Sequence, residues 1–512
     1  MCTKLKTLTS AAAKACRVLA TGAGISLLYA TTTWAAPLRD VRPSTDSVTA
    51  AALETTVSQL RVAALRWSAI TDVSAELQQA YRARDWAPFW SRDGMPTRQA
   101  TLMLAELRRL DDRGLSAADF DARMLSGLAL QAPLDPDLAS TFDAGLSVAA
   151  LRVARALQHG WTLPSQGTVG GARDGGTTDL ADALSALATA SSPAVILDTF
   201  EPQHDAYRRL KRALPTYRSQ AALGASHDTR VASIVASMEQ WRRLPHILPA
   251  SAIIVNVPAF VLQATMQRRD GSIDTLRMDV VVGDLLHRTP IFSDSLQYIE
   301  LSPYWNVPTS IVRAELLPLA RRDPHILTMN NYEIVDRRQR VLPVTFATVR
   351  AVDRGMAYIR QLPGGTNSLG RAKFIFPNSQ DIYLHDTPSR GGFQSAQRAL
   401  SHGCVRVADP KGLAMLLLRE DSTWTPARIE EAMNGRVAER ITLAARVPVY
   451  IMYATAAMNE HGEMEFHDDL YGRDHAFDQL LSKGSESPES RLPETITVES
   501  GRNSTNHTAQ RR

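Results

Sequence analysis

The stretch Ile382–Val407, IYLHDTPSRGGFQSAQRALSHGCVRV, decides how the rest of this 512-residue chain is interpreted. It holds one cysteine, two histidines and an arginine, in the order His385, His402, Cys404 and Arg406. A thiol attacks a carbonyl carbon efficiently only as the thiolate, so a nucleophilic cysteine requires a neighbouring base and a local positive field. The histidines are candidate bases and the arginine supplies positive charge. The stretch therefore predicts cysteine-dependent acyl transfer.

A glycine next to the thiol favours the same chemistry. Gly403 immediately precedes Cys404, and a residue without a Cβ lets backbone N–H groups approach a developing oxyanion closely. The pattern predicts that the N–H groups of Gly403 and Cys404 stabilise this oxyanion. Ser401, His402 and Arg406 belong to the same predicted oxyanion and substrate-binding set.

The first 35 residues are typical of a secretory signal peptide that is removed from the mature chain. A basic segment precedes an apolar core from Val18 to about Ala30, and Thr33-Trp34-Ala35 fits a cleavage site. The apolar run is about half the length that spans a bilayer, so a permanent anchor is the weaker alternative. Cys2 and Cys16 leave with the signal, and Cys404 becomes the only thiol. Such a thiol cannot pair internally, which favours a reactive cysteine over a buried inert one.

The charge of the mature chain argues against nucleic acid as a partner. The formal net charge is +4, but the signal carries four Lys or Arg residues and no acidic residue. Its removal leaves 53 Lys and Arg (57 − 4) against 53 Asp and Glu. Bulk charge therefore supports neither nucleic acid nor an anionic membrane as a partner.

Ser401-His402-Gly403-Cys404-Val405-Arg406, with His385 placed 19 residues (404 − 385) before the cysteine, resembles the signature of the L,D-transpeptidase family. These are cysteine enzymes that cross-link bacterial peptidoglycan, and the chain resembles their large periplasmic branch. The resemblance extends through three further segments: Pro303 to Pro308 (PYWNVP), Asn367 to Arg371 (NSLGR) and Leu384 to Pro388 (LHDTP).

The resemblance implies a role for each residue of the motif. His385 is the expected base, and His402, two positions before Cys404, is the alternative base and is expected to shape the loop. Asp386 is a candidate for orienting the imidazole, although family members also use a backbone carbonyl. Arg406 is expected to engage donor carboxylates, with a structural ion pair as the alternative. A proton shared between His385 and Cys404 would lower the pKa of the thiol and raise that of the imidazole.

The implied reaction is 3-3 cross-linking of stem peptides. Cys404 would attack the carbonyl between the third and fourth residues of a tetrapeptide stem, release the terminal D-residue and pass the thioester to a stem amine. Transfer to water (an L,D-carboxypeptidase) or to a lipoprotein amine is an alternative. Two further alternatives are a non-catalytic protein that binds the cell wall as a scaffold, and a zinc site formed by His385, His402 and Cys404.

The resemblance also implies the setting of this reaction. We expect a periplasmic enzyme of cell-wall biogenesis and cell shape, with no cofactor, no metal and carbapenems as inhibitors. Its expected partners are peptidoglycan stem peptides, with other cell-wall synthesis enzymes as further candidates. An uncleaved signal would be its only link to a membrane.

The pattern before the motif predicts a helical domain. Residues 36–58 are polar and contain Pro, Thr and Ser, which predicts a flexible leader. Within 59–245, apolar residues recur at helical spacing, as in Phe142, Leu146, Val153 and Leu157. This region resembles the helical scaffold of large L,D-transpeptidases.

From Ala252 the apolar period becomes that of strands. Arg269-Asp270-Gly271 between two apolar runs predicts a hairpin, and the catalytic domain at 250–456 is expected to be mostly antiparallel. Residues 323–357 show no sustained period and are expected to be a lid, with an ordinary surface insertion as the alternative. Residues 482–512 are predicted to be disordered. The predicted fold class is α+β, a helical scaffold followed by a β catalytic domain.

Overall fold

The computed structural model describes residues 45–161, 180–221, 225–459 and 461–482. The predicted signal peptide at 1–35 and the predicted tail after residue 482 lie outside the described residues. No helix within the described ranges combines the length and the apolar character needed to cross a membrane.

A helical region forms the first half of the described chain, as the sequence predicts. Its central helix runs from Pro136 to His159 and is buried along most of its length. Asp135 caps its start by accepting a hydrogen bond from the Leu138 N–H, and Gly160 ends it at a φ of 83°. The helices and strands of this region are α1 (Thr45–Ser58), α2 (Ser74–Arg82), β1 (Ser91–Arg92), β2 (Met95–Pro96), α3 (Arg98–Arg108), α4 (Ala122–Ala129), α5 (Pro136–His159), α6 (Leu180–Thr189), α7 (Pro193–Thr199), α8 (Asp205–Ala221) and α9 (Ala225–Arg242).

Helix α1 differs from the flexible leader that we predicted for 36–58. Residues 45–58 are helical, and Leu53 and Val57 are fully buried in the scaffold core beside α5. These two residues are four positions apart, so they lie on one helix face. Burial of that face stabilises a segment whose composition alone favoured disorder. Residues 36–44 lie outside the described residues.

The second half folds around one large sheet with a smaller sheet inserted into it. Its elements are β3 (Ala252–Asn256), β4 (Val261–Gln267), β5 (Ile273–Gly283), β6 (Phe292–Leu301), β7 (Trp305–Asn306), α10 (Thr309–Ile311), α11 (Leu317–Ala320), α12 (His325–Met329), β8 (Tyr332–Asp336), β9 (Val341–Leu342), α13 (Phe346–Asp353), β10 (Ala357–Gln361), β11 (Ala372–Ile375), β12 (Leu384–His385), β13 (Ala399–Ser401), β14 (Val405–Val407), α14 (Pro410–Leu418), α15 (Pro426–Met433), β15 (Glu439–Met452), β16 (Ala456–Met458), β17 (Met464–Phe466) and α16 (Arg473–Ser482).

The large sheet closes on itself. Its strand order is β13-β5-β14-β12-β11-β6-β15-β3-β4, and β4 also pairs with β5 along the predicted hairpin. Most neighbours are antiparallel, which confirms the prediction. Three pairs run parallel: β13 with β5, β15 with β3, and β12 with β14. This last pair matters for function because it places the strand that ends in His385 beside the strand that follows Cys404.

The predicted lid is larger and more regular than the sequence indicated. A cap subdomain, residues 304–361, carries the small sheet in the order β7-β10-β8-β9 together with α10 to α13. It has an apolar core of its own that includes Val312, Leu317 and Ile359. Its strands of two to five residues are too short to show a period. The prediction of an aperiodic insertion at 323–357 was therefore wrong in extent and in regularity.

The scaffold and the catalytic domain share an apolar contact. Tyr207 and Leu210 of α8 and Met238 of α9 pack against Ala456 of β16. The Ala456 N–H also donates a hydrogen bond to Ser237 Oγ over 2.8 Å. The hairpin of β16 and β17 thus connects the helical region to the sheet.

Candidate active site

Three adjacent strands place the motif residues on one face of the sheet. In the strand register Lys373 of β11 lies opposite His385 of β12, which lies opposite Arg406 of β14. Side chains at such opposed positions project from the same face, and so do residues two positions apart in one strand. Tyr383 therefore shares the face of His385, and Cys404, directly before β14, shares that of Arg406. The sheet brings the predicted nucleophile, base and cation together.

His385 is buried and held in one tautomer. Its Nδ1–H donates a hydrogen bond to the backbone oxygen of Asp386 over 2.5 Å, and because a carbonyl can only accept, Nδ1 carries the proton. Nε2 is then free to accept one. Burial lowers the pKa of His385 to about 3, and the positive charges of Arg406 and Lys373 act in the same direction. The imidazole is neutral in the resting protein, as a general base must be.

The structure decides between the two ways in which Asp386 could orient the imidazole, and it favours the backbone carbonyl over the carboxylate. Its Oδ2 accepts a hydrogen bond from the Arg371 N–H over 2.8 Å, and its Oδ1 lies 3.1 Å from the Arg390 guanidinium. Gly370 has a φ of 62°, and a Cβ there would lie 2.4 Å from this carboxyl group. The carboxylate therefore fixes the surrounding loops, and the backbone carbonyl of Asp386 orients the imidazole.

Cys404 is a free thiol in a partly exposed position. Its Sγ–H donates to the Asp381 carbonyl oxygen over 3.8 Å. Burial raises the pKa of the thiol, against the opposing effects of hydrogen bonds from Tyr383 and of the Lys373 charge. The pKa of Cys404 and that of His385 thus move opposite to the directions expected for a shared proton. These directions favour a neutral thiol and a neutral imidazole over an imidazolium–thiolate pair in the resting state, because burial disfavours both charged forms.

Ser401 and Gly403 shape the loop that carries the thiol. Ser401 Oγ donates to the Cys404 carbonyl oxygen over 2.5 Å and accepts from the Gly403 N–H over 3.1 Å. Gly403 adopts a φ of 107°, a region that favours glycine, and its carbonyl accepts from Thr289 Oγ1 over 2.8 Å. Because the Gly403 N–H already has an acceptor, the prediction that it serves the oxyanion does not hold in this state. The Cys404 N–H has no acceptor among the described residues.

Arg406 is a half-buried cation without a carboxylate partner. Its guanidinium forms no ion pair with the described residues, and its buried Nε lacks a hydrogen-bond partner there. Burial lowers the pKa of Arg406, whereas Cys404 raises it. The alternative of a structural ion pair was therefore wrong. This group is placed to receive an anion beside the thiol.

His402 faces the cap subdomain. Its Nε2 lies 3.2 Å from Glu315 Oε1, in the π-helical turn Val312–Leu316. Its ring packs on that of His287, with 4.6 Å between the ring centroids, and His287 Nδ1 lies 3.1 Å from Asp284 Oδ1. These contacts separate the roles of the two histidines, with His385 beside the thiol and His402 at the rim.

Two families of known domains match the chain. A scaffold domain matches residues 75–214, and the L,D-transpeptidase catalytic domain matches residues 250–429, which include the Cys404 and His385 site. Residues 250–429 of the chain therefore belong to the L,D-transpeptidase catalytic domain family. Both the resemblance and the α+β fold class are thereby confirmed.

A curated relative extends the likeness. A Haemophilus influenzae protein, provisionally named an L,D-transpeptidase, is 33% identical to this chain over 270 residues. The alignment covers 52% of this chain and 52% of the relative, so the chain spans about half the length of the curated relative that it matches.

The sequence analysis missed two residues of this site, Tyr383 and Lys373. Tyr383 hydrogen-bonds to the Cys404 thiol and to Trp305 of the cap, and burial raises its pKa. Its ring meets that of His385 edge-on at 5.7 Å, and the Lys373 ammonium lies 4.0 Å from its centroid. The strand period of two, counted back from His385, would have identified Tyr383. The lysine inside the apolar run AKFIF was the signal for Lys373.

The structure does not bring His385, His402 and Cys404 together as the ligands of a zinc ion. His402 is directed at Glu315, away from the pairing of His385 with the Asp386 carbonyl. Among the described residues, no group of three or more His, Cys, Asp or Glu side chains is arranged to hold a metal ion.

Proposed function

We propose that this protein is a peptidoglycan L,D-transpeptidase that forms a thioester between Cys404 and a tetrapeptide stem and transfers it to a stem amine. The observation that carries the proposal is the hydrogen bond from His385 Nδ1 to the Asp386 carbonyl oxygen. It leaves Nε2 unprotonated on the sheet face that carries the thiol. A neutral thiol then needs only this base to become a nucleophile.

The acylation half-reaction moves one proton from sulfur to nitrogen and on to the leaving group. As Cys404 Sγ bonds the carbonyl carbon between the third and fourth stem residues, His385 Nε2 accepts the thiol proton. The tetrahedral intermediate then breaks its C–N bond, and the imidazolium donates that proton to the departing amine. The Cys404 N–H supports the oxyanion, since no described residue accepts its hydrogen bond.

The second half-reaction uses the same imidazole in reverse. A side-chain amine of another stem attacks the thioester carbonyl while His385 Nε2 accepts a proton from it. The C–S bond breaks, the thiolate takes the proton back, and a 3-3 cross-link is released. One histidine is sufficient because each half-reaction needs proton transfer at one place.

Arg406 gives the site its preference for acidic donors. Its guanidinium is half-buried and has no ion pair with the described residues, so a stem carboxylate would complete its partners. Peptidoglycan stems carry free carboxylates near the scissile bond. This assignment implies a periplasmic location, export by the signal at 1–35 and a place among the cell-wall synthesis enzymes.

Incubation with purified tetrapeptide muropeptides, followed by mass analysis, tests the proposal. We expect cross-linked dimers together with a released D-amino acid. Trimmed tripeptides alone would indicate a carboxypeptidase that uses water, and attachment of a lipoprotein amine in place of dimers would indicate the anchoring reaction. Complete absence of turnover and of a covalent adduct would support a non-catalytic scaffold and contradict the proposal.

Cys404→Ala is the matched inactive variant for this experiment. The thiol lies in a loop and is partly exposed, so its removal leaves no large cavity and the melting temperature should stay close to that of the wild type. Product formation should be lost. Carbapenems, which present a strained carbonyl to the same thiol, should add one drug mass to the wild type and none to this variant.

A further inference from the structure

Lys373 is a half-buried cation for which the proposed reaction has no role. It lies in β11 between the buried residues Ala372 and Phe374. Its register partners are His385 of β12 and Glu300 of β6. Among the described residues its ammonium forms no ion pair within 4.0 Å, and Nζ instead lies 4.0 Å from the centroid of the Tyr383 ring.

This placement is costly for the fold. An ammonium group is strongly hydrated, and its partial removal from water without a carboxylate partner costs free energy. Burial lowers the pKa of Lys373, which reflects that cost. A cation–π contact of this kind contributes only about 0.5–2 kcal/mol. Stability therefore does not explain a lysine at this position, and an apolar residue would suit the strand better.

The Tyr383 ring connects the ammonium to the reacting atoms. Tyr383 lowers the pKa of the Cys404 thiol, and the edge of its ring meets the imidazole of His385, with 5.7 Å between the ring centroids. A positive charge seated on this ring favours the thiolate over the thiol and neutral imidazole over imidazolium, and the pKa values of Cys404 and His385 are both lowered by Lys373. Arg406 can supply such a field in the free enzyme, but a donor carboxylate would neutralise it on binding.

We propose that Lys373 is a positioning residue for the nucleophile: its ammonium, held on the Tyr383 ring, supplies the positive field that stabilises the Cys404 thiolate during attack. The inference rests on the proposed function only for the identity of the acyl donor. Arg406 recognises the donor, and Lys373 keeps the field at the sulfur after the donor has bound.

The pH dependence of Cys404 alkylation by iodoacetamide tests this role without any peptidoglycan substrate. Lys373→Met should move the midpoint of the alkylation profile upward by up to about one pH unit, because it removes a positive charge that lowers the pKa of the thiol. Lys373→Arg should keep the midpoint near that of the wild type. Lys411→Met removes a lysine from an exposed ion pair with Glu430 and should leave the midpoint unchanged.

A second variant covers the case in which Lys373→Met does not fold. Glu300→Gln removes the carboxylate that lies in register with Lys373 and opposes its field, so the midpoint should move downward. If Lys373→Met folds, an unchanged alkylation midpoint would overturn the inference. If it does not fold, an unchanged or raised midpoint in Glu300→Gln would overturn it. Muropeptide turnover is measured separately, so an inactive wild type that still shows these shifts would overturn the proposed function alone.

Discussion

At the scale of the residue, the expectation from the sequence and the structure differ most in the charge state of the proposed nucleophile, Cys404. The motif identifies Cys404 and His385, but the ionisation of the pair depends on how deeply the fold buries them. His385 is 5% exposed, and burial is the largest influence on its pKa. We infer that the enzyme rests as a neutral thiol and a neutral imidazole, and that the proton moves only as the carbonyl is attacked.

The resting charge state can be measured directly. Because burial raises the pKa of Cys404, the alkylation midpoint of the native enzyme should lie above that of the same cysteine in urea. Iodoacetamide labelling across pH, read by intact mass, compares the two states. A native midpoint below the unfolded one would indicate a resting imidazolium–thiolate pair.

The two histidines should differ in their effect on turnover. His385→Ala removes the group that carries the proton in both half-reactions and should lower kcat by about 10²- to 10⁴-fold. His402→Ala removes a rim residue that contacts Glu315, and its loss of kcat should be smaller. Steady-state rates with muropeptides compare them. A larger loss for His402→Ala would reverse the assignment of the base.

At the scale of the element, the cap subdomain contacts the loop of Cys404 through an exposed side-chain pair, Glu315 and His402, which is an ion pair only when His402 is protonated. Glu315 of the π-helical turn and His402 are both about half exposed, at 53% and 45%. Such pairs contribute about 0.2–1 kcal/mol, which is small enough for a contact that opens and closes. We propose that this pair is the latch that holds the cap subdomain, as a lid, over the loop of Cys404.

Removal of the latch should loosen the cap without unfolding it. Glu315→Gln should speed hydrogen exchange in residues 309–329 by up to about fivefold, the equivalent of 1 kcal/mol. Exchange in β3 and β4 should stay unchanged. Glu430→Gln, which breaks an exposed ion pair on α15, is the matched control. Equal exchange of the cap in wild type and Glu315→Gln would argue for a passive insertion.

The elements show which parts of the site a sequence can reveal. The β4–β5 hairpin and helix α5 were predictable because apolar period and turn residues are local signals. Glu315 was not, since it reaches His402 only through a short π-helical turn of the cap. Lys373 left a signal, a charge inside an apolar run, but its position beside Tyr383 depends on the pairing of separate strands. The role of Asp386 stayed open because sequence cannot distinguish the action of a side chain from that of a backbone carbonyl; the structure favours the carbonyl.

At the scale of the whole molecule, a buried carboxyl group lies where the scaffold meets the catalytic domain. Asp474 of α16 accepts a hydrogen bond from Thr455, just before β16. Burial raises its pKa to about 7, and nearby Asp469 acts in the same direction. In the unfolded chain an Asp titrates near 4. Between about pH 4 and pH 7 the folded protein therefore holds one proton more than the unfolded chain.

This difference predicts a pH-dependent stability. The contribution of Asp474 is most favourable below about pH 4 and is lost as pH rises through 7, because a raised pKa favours the protonated folded state. Asp474→Asn should therefore gain stability relative to wild type as pH rises from 5 to 8. The difference in melting temperature between Asp474→Asn and wild type, measured across this pH range, tests the prediction. Glu54→Gln, a change at an exposed position, is the control.

Comparison of the two proteins is necessary because other buried groups act in the opposite direction. Burial lowers the pKa of His204 to about 4, so its contribution is fully present above about 6.5 and is lost as pH falls through 4. Its effect cancels when the variant is compared with the wild type. If the difference in melting temperature between Asp474→Asn and wild type stays constant with pH, the raised pKa of Asp474 is refuted.

The covalent thioester on Cys404 is the central claim, and intact mass measured during turnover tests it most directly. After rapid mixing with a tetrapeptide stem and acid quenching, we expect an adduct equal to the donor less its terminal D-residue. Peptide mapping should locate it on Cys404, and Cys404→Ala should form neither adduct nor product. Cross-linked product from Cys404→Ala, or an adduct mapped to another residue, would contradict the account.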